Sequence, residues 1–127
     1  MKAVIDTNVF VSSFFGGNPR KVIDHWFSGR LTLCLSRPIL EEYFNVLGRF
    51  EFDDDALLLK LMSFIERNEN ILFVENPEDN KFVACAIALE ADYIVSGDSH
   101  LTRAKRTGKA EILTPLEILR VLSGKNP

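Results

Sequence analysis

Short apolar runs alternate along this chain with segments in which apolar residues recur at helical spacing. The runs are mostly Val, Ile and Leu with little polar alternation, as in strands buried on both faces. Five strands are predicted, at residues 2–5, 31–35, 71–74, 93–96 and 110–113. Helical spacing predicts helices at residues 20–28, 38–49, 53–67, 82–89, 99–105 and 115–123. This alternation favours an α/β fold with a parallel sheet covered on both faces.

Helix start and stop signals support these boundaries. Gly29 follows the apolar positions of the first helix and is a natural stop, and Ser36 can cap the second helix. Thr114 and Glu117 form a capping box around Pro115, which suits a first helical position. The chain contains no linker, repeat or low-complexity segment. We therefore expect one domain over residues 1–127, with a flexible tail at 124–127.

The composition limits the classes of protein that this chain can represent. A length of 127 residues with 46% hydrophobic residues suits one domain with a sizeable core. No apolar run approaches the roughly 20 residues that span a bilayer. Asp6 places an acid too early in the chain for a signal peptide. We therefore expect a cytoplasmic protein that has no membrane contact.

Cysteine content and net charge narrow the classes further. Cys34 and Cys85 lie among apolar neighbours, which predicts buried free thiols in a reducing compartment. The net charge of −3 argues against a general nucleic-acid coat protein, because such proteins are usually basic. It is compatible with an enzyme that meets a phosphate backbone through bound cations.

Four acidic residues follow the predicted strands. Asp6, Asp79 and Asp98 come just after strands, and Glu42 lies on the helix that follows the second strand. The carboxyl ends of the strands are where ligands bind in open α/β sheets. Carboxylate oxygens are the ligands that Mg²⁺ and Mn²⁺ prefer. The pattern therefore predicts a metal-dependent enzyme that acts on phosphates.

Each acid also has a plain structural interpretation. Asp6, Asp79 and Asp98 can cap helices or turns. Either Glu42 or Glu41 could be the acid that reaches the crevice. The helical stripe puts Glu42 at the edge of the buried face and Glu41 nearer solvent, which favours Glu42 without excluding Glu41. Asp92 precedes the fourth strand, so we expect it at the opposite edge of the sheet, roughly 13 Å or more from the other acids.

Other polar segments carry weaker signals. The acidic residues at 51–55 are expected to form a first helical turn that the macrodipole favours. His100 lies two residues from Asp98 and is a minor candidate for a functional group. Arg103, Lys105 and Arg106 follow Asp98 closely, which suggests either a solvated basic face or contacts to a phosphate backbone.

The ordered motifs resemble those of the PIN domain family. They are Val4-Ile5-Asp6-Thr7-Asn8-Val9, then Ser36 to Glu42-Tyr43 with Val46-Leu47, then Pro77-Glu78-Asp79-Asn80-Lys81-Phe82, then Ala91 to Asp98. Together they cover almost the whole chain. The nearest resemblance is to the prokaryotic branch described as toxins of toxin–antitoxin pairs.

The resemblance implies a three-layer α/β/α sandwich with a five-stranded parallel sheet. It implies an acidic pocket that binds Mg²⁺ or Mn²⁺, with Glu42 chosen over Glu41. The implied catalytic and metal-binding residues are Asp6, Glu42, Asp79 and Asp98, with Asn8 and Ser96 as polar residues of the pocket. Two departures are a serine at position 96, where threonine is commoner, and Ser99 and His100 where a further acid can stand.

The implied activity is that of a metal-dependent endoribonuclease, acting as the toxin of a toxin–antitoxin pair. Carboxylates would hold one or two metal ions that activate a water for in-line attack on an RNA phosphodiester. The expected partners are RNA, an antitoxin protein and a second copy in a homodimer. The sequence is also compatible with two alternatives: an aspartyl phosphatase or phosphotransferase with Asp6 as nucleophile, and a non-catalytic PIN-like binding module.

Overall fold

A computed structural model describes residues 1–51, 55–75 and 80–127 of the chain. Its six strands are β1 Lys2–Ile5, β2 Thr32–Ser36, β3 Ile71–Val74, β4 Tyr93–Val95, β5 Arg106–Thr107 and β6 Ala110–Leu113. Its α-helices are α1 Thr7–Ser12, α2 Gly17–Phe27, α3 Arg37–Leu47, α4 Asp55–Glu66, α5 Lys81–Ala88, α6 Ser99–Thr102 and α7 Pro115–Leu122. A short 3-10 helix at Ser13–Phe15 separates α1 from α2.

The sheet has the strand order β3-β2-β1-β4-β6-β5. The first five of these strands are parallel, as expected, and β5 pairs antiparallel with β6. The five-stranded prediction is therefore corrected to a mixed sheet of six. Thr107 and Ala110 are paired across a turn at Gly108, whose φ is +56°. Two residues of strand are too short for hydrophobic periodicity to detect.

The chain reverses its direction of travel across the sheet beside β1. From β1 it moves to β2 and β3, then crosses back to β4 on the other side of β1 and continues to β6. Right-handed crossovers in opposite directions place their helices on opposite faces of a sheet. The α2 helix accordingly belongs to one face and α5 to the other, which gives three layers. The carboxyl ends of β1 and β4 form the topological switch point, where crevices occur.

Large apolar side chains hold the layers together. Trp26 of α2 is fully buried and meets Phe64 of α4 edge to face, with ring centroids 5.5 Å apart. The α2 helix also packs against α7. The α5 helix packs on β1, β2 and β4, where its small residues Cys85 and Ala86 are buried. Close packing of this kind requires small side chains on the helix.

Several sequence signals are confirmed in the helix ends. Ser36 caps α3 by accepting a hydrogen bond from Ile39 N at 3.4 Å. Thr114 and Glu117 form the predicted capping box of α7, with hydrogen bonds of 3.0 and 3.3 Å. The acidic residues Asp53 and Asp54 lie outside the described residues, and α4 is described from Asp55.

Both cysteines lie in the core of the protein. Cys34 and Cys85 are buried free thiols, as expected. Burial raises the pKa of Cys34 to about 11 and the pKa of Cys85 to about 12, so both remain protonated at neutral pH. Within the described ranges, no helix is long and apolar enough to cross a bilayer.

Candidate active site at the sheet switch point

Asp6 lies at the carboxyl end of β1 and caps α1. Its Oδ1 accepts a hydrogen bond from Val9 N at 2.9 Å, and its Oδ2 accepts one from the Ser96 hydroxyl. The Asp6 backbone N–H donates to Val95 O at 3.0 Å, which ties the end of β1 to β4. The residue is only 4% exposed. Asp6 therefore serves as a helix cap and also borders the crevice beside β4.

Asp98 follows β4 and caps α6. Its Oδ1 accepts a hydrogen bond from His100 N at 2.8 Å, and its own N–H donates to Ser96 Oγ at 3.0 Å. Ser96 therefore links the two aspartates, because its hydroxyl donates to Asp6 and accepts from the Asp98 backbone. Ser96 is fully buried, so it supports the acids from behind the crevice.

Glu42 reaches the same crevice from α3. Its Oε2 accepts a hydrogen bond from the Thr7 hydroxyl, and its Oε1 lies 2.9 Å from Lys81 Nζ. Glu41 is exposed on the same helix and is not among the described residues that line the crevice. The edge of the apolar stripe on α3 is therefore the position that meets the other acids.

Tyr43 fixes the position of α3 next to Glu42. Its ring is fully buried and stacks on Phe10 with centroids 4.0 Å apart and an interplanar angle of 4°. Its hydroxyl donates to the carbonyl of Ile5, the residue before Asp6. Burial raises the pKa of Tyr43 well above its ordinary value, so the hydroxyl stays a donor. The end of β1 is thus bound to the helix that carries Glu42.

These three acids border one open cleft of about 540 Å³. Its described lining residues are Asp6, Thr7, Asn8, Glu42, Val46, Asn80, Phe82, Asp98, His100 and Leu101. The lining includes Asn8, which the sequence singled out, and His100, which it rated as minor. Asp79 lies outside the described residues, and its neighbour Asn80 lines the cleft. We call this surface the acidic cleft.

The predicted basic contacts lie away from this lining. Arg103, Lys105 and Arg106 are exposed and are not among the described lining residues. In the sheet, Arg106 of β5 lies opposite Glu111 of β6, and Glu111 in turn lies opposite Tyr93 at the start of β4. The segment after Asp98 therefore descends towards the amino edge of the sheet. Arg106 is close to Asp98 in the sequence, but it does not lie beside the acidic cleft.

Asp92 lies at the start of β4, at the amino edge of the sheet. Its Oδ2 accepts a hydrogen bond from Lys2 N at 2.9 Å, and its Oδ1 lies 3.3 Å from Lys109 Nζ. It is separated from the acidic cleft by the length of β4. The structure thus places Asp92 at the opposite edge from Asp6 and Asp98.

The electrostatic state of each acid follows from its neighbours. Burial, opposed by the hydrogen bonds from Ser96 and Val9, raises the pKa of Asp6, and the charges of Asp98 and Glu42 raise it further. Partial burial works to raise the pKa of Glu42, but the Thr7 hydrogen bond and the Lys81 ammonium outweigh it and leave the pKa lowered. Asp6 is therefore a carboxylate whose charged form is disfavoured, first by burial and then by its acidic neighbours.

A larger cleft of about 800 Å³ lies between α2 and α7. Its lining includes the cations Lys21, Arg30, Arg120 and Lys125. Arg120 lies in the last turn of α7, where a cation offsets the macrodipole. Size does not make it the candidate site, since converging buried polar groups and perturbed pKa values mark such sites better.

The residues of the acidic cleft fit a hard divalent cation by their chemistry. Their donors are carboxylate oxygens, with the Asn8 amide and the Thr7 hydroxyl beside them. Across residues 1–51, 55–75 and 80–127, no three acidic, histidine or cysteine side chains gather closely enough to surround a metal ion. Glu42 is held by Lys81 and Thr7 instead.

Sequence comparison now bears on this geometry. The model of the PIN domain family matches residues 2–100, which include the described acids of the cleft. The chain belongs to the PIN domain family. An uncharacterized relative from Methanocaldococcus jannaschii is 30% identical over 122 residues, covering 86% of this chain and 78% of the relative. No solved structure matches the chain.

Membership of the PIN domain family gives the acidic cleft a chemical context. PIN domains are generally nucleases, which are hydrolases, and they typically use divalent metal ions. The family and the α/β fold inferred from the motifs are therefore confirmed. A nuclease-type activity is the functional statement that the family supports.

Sequence reasoning missed two side chains of this PIN domain site, Thr7 and Lys81. Both contact Glu42. Thr7 is 35 positions from Glu42 in the sequence, and Lys81 reaches it from α5. The sequence did contain a signal, because both are polar residues adjoining or near predicted acids in the motifs. Their contacts with Glu42 depend on how α3 packs beside α1 and α5, which spacing along the chain does not give.

Proposed function

We propose that this PIN domain is a metal-dependent endoribonuclease that hydrolyses RNA phosphodiesters. One observation carries the proposal: buried Asp6 faces Asp98 and Glu42 across an open cleft at the switch point of the sheet. Like charges brought together in this way cost free energy unless a cation offsets them. A divalent cation and a phosphate backbone suit such a cleft.

Asp6, Glu42 and Asp98 would hold the metal, together with Asp79, which the family resemblance adds from outside the described residues. Mg²⁺ or Mn²⁺ supplies two things when bound, activation of water and neutralisation of phosphate charge. The donor chemistry supports this choice of metals, since all four side chains offer hard carboxylate oxygens.

The chain's own side chains have separate tasks in this proposal. The Ser96 hydroxyl orients Asp6, and the backbone N–H of His100 orients Asp98. Asn8 and His100 line the cleft beside the acids and can donate to phosphate oxygens. Cys34 and Cys85 are buried and protonated, so neither supplies a nucleophile.

The alternative of an aspartyl phosphatase with Asp6 as nucleophile is less well supported. Both Asp6 oxygens accept hydrogen bonds, one from Val9 N and one from Ser96. These hydrogen bonds lower the nucleophilicity of both oxygens, while each oxygen keeps a second lone pair that could face a metal ion. A non-catalytic binding module is also disfavoured, because all the acids implied by the family resemblance are present in the sequence.

We also propose that the protein acts as the toxin of a toxin–antitoxin pair, forms a homodimer and works in the cytoplasm. The resemblance of its motifs to the toxin branch supports this. Expression in a bacterial host should arrest growth for the wild type and not for Asp6→Asn, and a small neighbouring gene should relieve the arrest. The purified protein should have about twice the monomer mass of 14.4 kDa in solution.

A cleavage assay tests the proposed activity. Labelled single-stranded RNA is incubated with wild type, Asp6→Asn and Asp92→Asn, with and without Mn²⁺, and DNA of the same sequence is run in parallel. We expect internal cleavage of RNA that needs Mn²⁺, is lost in Asp6→Asn and is kept in Asp92→Asn. Cleavage that survives in Asp6→Asn, or none in the wild type with Mn²⁺, would refute the proposal.

A further inference from the structure

Glu42 differs from both aspartates of the acidic cleft because a cation holds it. Lys81 Nζ lies 2.9 Å from Glu42 Oε1, while the Thr7 hydroxyl donates to Oε2. Within the part of the chain that the structure describes, Asp6 and Asp98 accept hydrogen bonds from Ser96 and from backbone N–H groups, and no cation lies within 4.0 Å of either. Among these three described acids, Glu42 is therefore the one whose charge is offset by a cation of the chain itself.

The helix that carries Lys81 does not favour a cation at that position. Lys81 is the first residue of α5. The N-terminus of a helix carries partial positive charge, so a cation there is unfavourable. The ion pair with Glu42 offsets this cost. The position of Lys81 is thus explained by the cleft and not by α5.

The ion pair between Lys81 and Glu42 engages a carboxylate oxygen that a metal ion would need as a ligand. A carboxylate that ligates a divalent cation must direct an oxygen lone pair at it, and Glu42 Oε1 already faces an ammonium. The side chains of Lys81 and Glu42 are each 32% exposed, so solvent ions can reach them.

We propose that Lys81 is an internal counter-ion that holds Glu42 in the metal-free protein and competes with a divalent cation for Glu42 Oε1. The inference rests on the proposed function, because it requires the acidic cleft to take Mg²⁺ or Mn²⁺. Metal binding releases the ammonium from Glu42. Lys81 therefore weakens metal affinity while it reduces carboxylate repulsion in the empty cleft.

Manganese binding without RNA tests this competition directly. Mn²⁺ is titrated into each protein, and free Mn²⁺ is followed by electron paramagnetic resonance. Lys81→Met should bind Mn²⁺ about tenfold more tightly than wild type, because Glu42 Oε1 is freed from its ion pair. Lys81→Arg keeps the charge and a stronger carboxylate contact, so it should bind Mn²⁺ no more tightly than wild type.

A matched control separates the contact from a general change in charge. Lys109→Met removes a cation that pairs with Asp92 at 3.3 Å on the opposite edge of the sheet. It changes the net charge by the same amount as Lys81→Met. Its affinity for Mn²⁺ should stay within about twofold of wild type, since exposed charges at that distance are screened.

A double-mutant cycle tests whether Lys81 acts through Glu42. In a Glu42→Gln background, Lys81→Met should change Mn²⁺ affinity by less than about twofold. An undiminished tenfold effect would show that Lys81 repels the metal without competing for Glu42, and would overturn the inference. Lys81→Gln provides the same comparison if Lys81→Met does not fold.

The possible failures are distinguishable. If wild type binds Mn²⁺ and Lys81→Met binds it with the same or lower affinity, only the role of Lys81 is refuted. If neither protein binds Mn²⁺, the metal-dependent function is refuted as well. As a second measurement, Lys81→Met should melt below wild type without metal, and saturating Mn²⁺ should close that gap.

Discussion

Two aspartates at opposite ends of the central strands have opposite electrostatic states. Asp6, at the carboxyl end of β1, is buried beside other acids, and its pKa is raised. Asp92, at the amino end of β4, accepts a hydrogen bond from Lys2 N and pairs with Lys109, and its pKa is lowered. The same side chain is thus destabilised as an anion at one edge and stabilised at the other.

This contrast indicates which edge of the sheet would gain free energy from binding a cation. The charge of Asp92 is offset by Lys2 N and Lys109 of its own chain, so a bound cation would stabilise Asp92 little. Asp6 accepts two hydrogen bonds and still bears the charges of Asp98 and Glu42. A bound cation would relieve that repulsion, and perturbed groups of this kind cluster at functional sites.

The largest difference between the two edges should be in how a substitution there changes catalytic activity. Asp6→Asn should reduce RNA cleavage by about 100-fold or more, since changes even to groups behind a metal ligand cost about 10- to 100-fold. Asp92→Asn should stay within about twofold of wild type. The measurement is kcat/KM on one RNA with saturating Mn²⁺. Equal losses in both variants would remove the functional distinction between the two edges.

RNA affinity should respond to the basic segment after Asp98. Changing Arg103, Lys105 and Arg106 together to alanine should weaken binding of unrelated RNAs about equally, because these exposed cations lie outside the acidic cleft and would contact backbone phosphates beyond the cleaved one. For each of these cations that binds a phosphate, its removal should lower the salt slope by about 0.7, and the cleavage rate at saturating RNA should be kept. Binding is measured by fluorescence anisotropy without metal.

A second triple variant supplies the comparison for this segment. Lys21, Arg30 and Arg120 line the cleft between α2 and α7, and changing them to alanine removes the same charge. If the two triple variants lose equal affinity, the effect is one of net charge. If only the second loses affinity, the RNA path runs along α2 and α7.

Stability without metal should change in opposite directions at the two edges. Asp6→Asn should raise the free energy of unfolding by about 1 kcal/mol, because asparagine keeps the helix cap at Val9 and removes a buried charge beside two acids, which outweighs the lost hydrogen bond from Ser96. Asp92→Asn should lower it by less than about 1 kcal/mol, as expected for a partly exposed ion pair. Urea denaturation with chelator measures both. Asp6→Ala, which removes the cap as well, should be less stable than Asp6→Asn.

A weaker effect should appear in the pH dependence of these stability changes. The pKa of Asp6 is raised in the folded protein, so its destabilising effect begins above the unfolded pKa of about 3.9 and is complete above the folded pKa. The advantage of Asp6→Asn over wild type should therefore grow as pH rises through that window. Asp92 has a lowered pKa, so its contribution is present above about pH 3.9 and is lost as pH falls through the folded pKa.

Denaturation curves at several pH values between about 3 and 7 measure both slopes. Chelator must be present, since a bound metal would hide the repulsion at Asp6. Parallel slopes for Asp6→Asn and Asp92→Asn, each relative to wild type, would contradict opposite states of the two acids.

The sequence predicted most of the fold because the fold rests on strong local patterns. The strands at residues 2–5, 71–74 and 110–113 were found with their observed bounds, since each is a short, mainly apolar run. The first helix of the structure, Thr7–Ser12, was not predicted, because its 6 residues span too few turns for a helical period to stand out. The antiparallel β5 was too short to predict.

The candidate site was predictable to the extent that it follows from strand ends. Asp6 and Asp98 were expected near each other because β1 and β4 are parallel, and Ser96 joins them. The Lys81 contact with Glu42 was not predictable, because it depends on helix packing across the chain. Asp79 lies outside the described residues, so its place in the site stays a prediction.

The hydrogen bond between Ser96 and Asp6 joins residues that are 90 positions apart. Contacts of such long sequence separation form late in folding, since the loop between them must first be closed. The α1 helix can form around Asp6 early, yet the carboxylate has no Ser96 or Asp98 beside it until β4 pairs with β1. A chain still lacking β4, whether unfinished or cut, therefore carries Asp6 without a cleft, and assembly of the acids coincides with completion of the sheet.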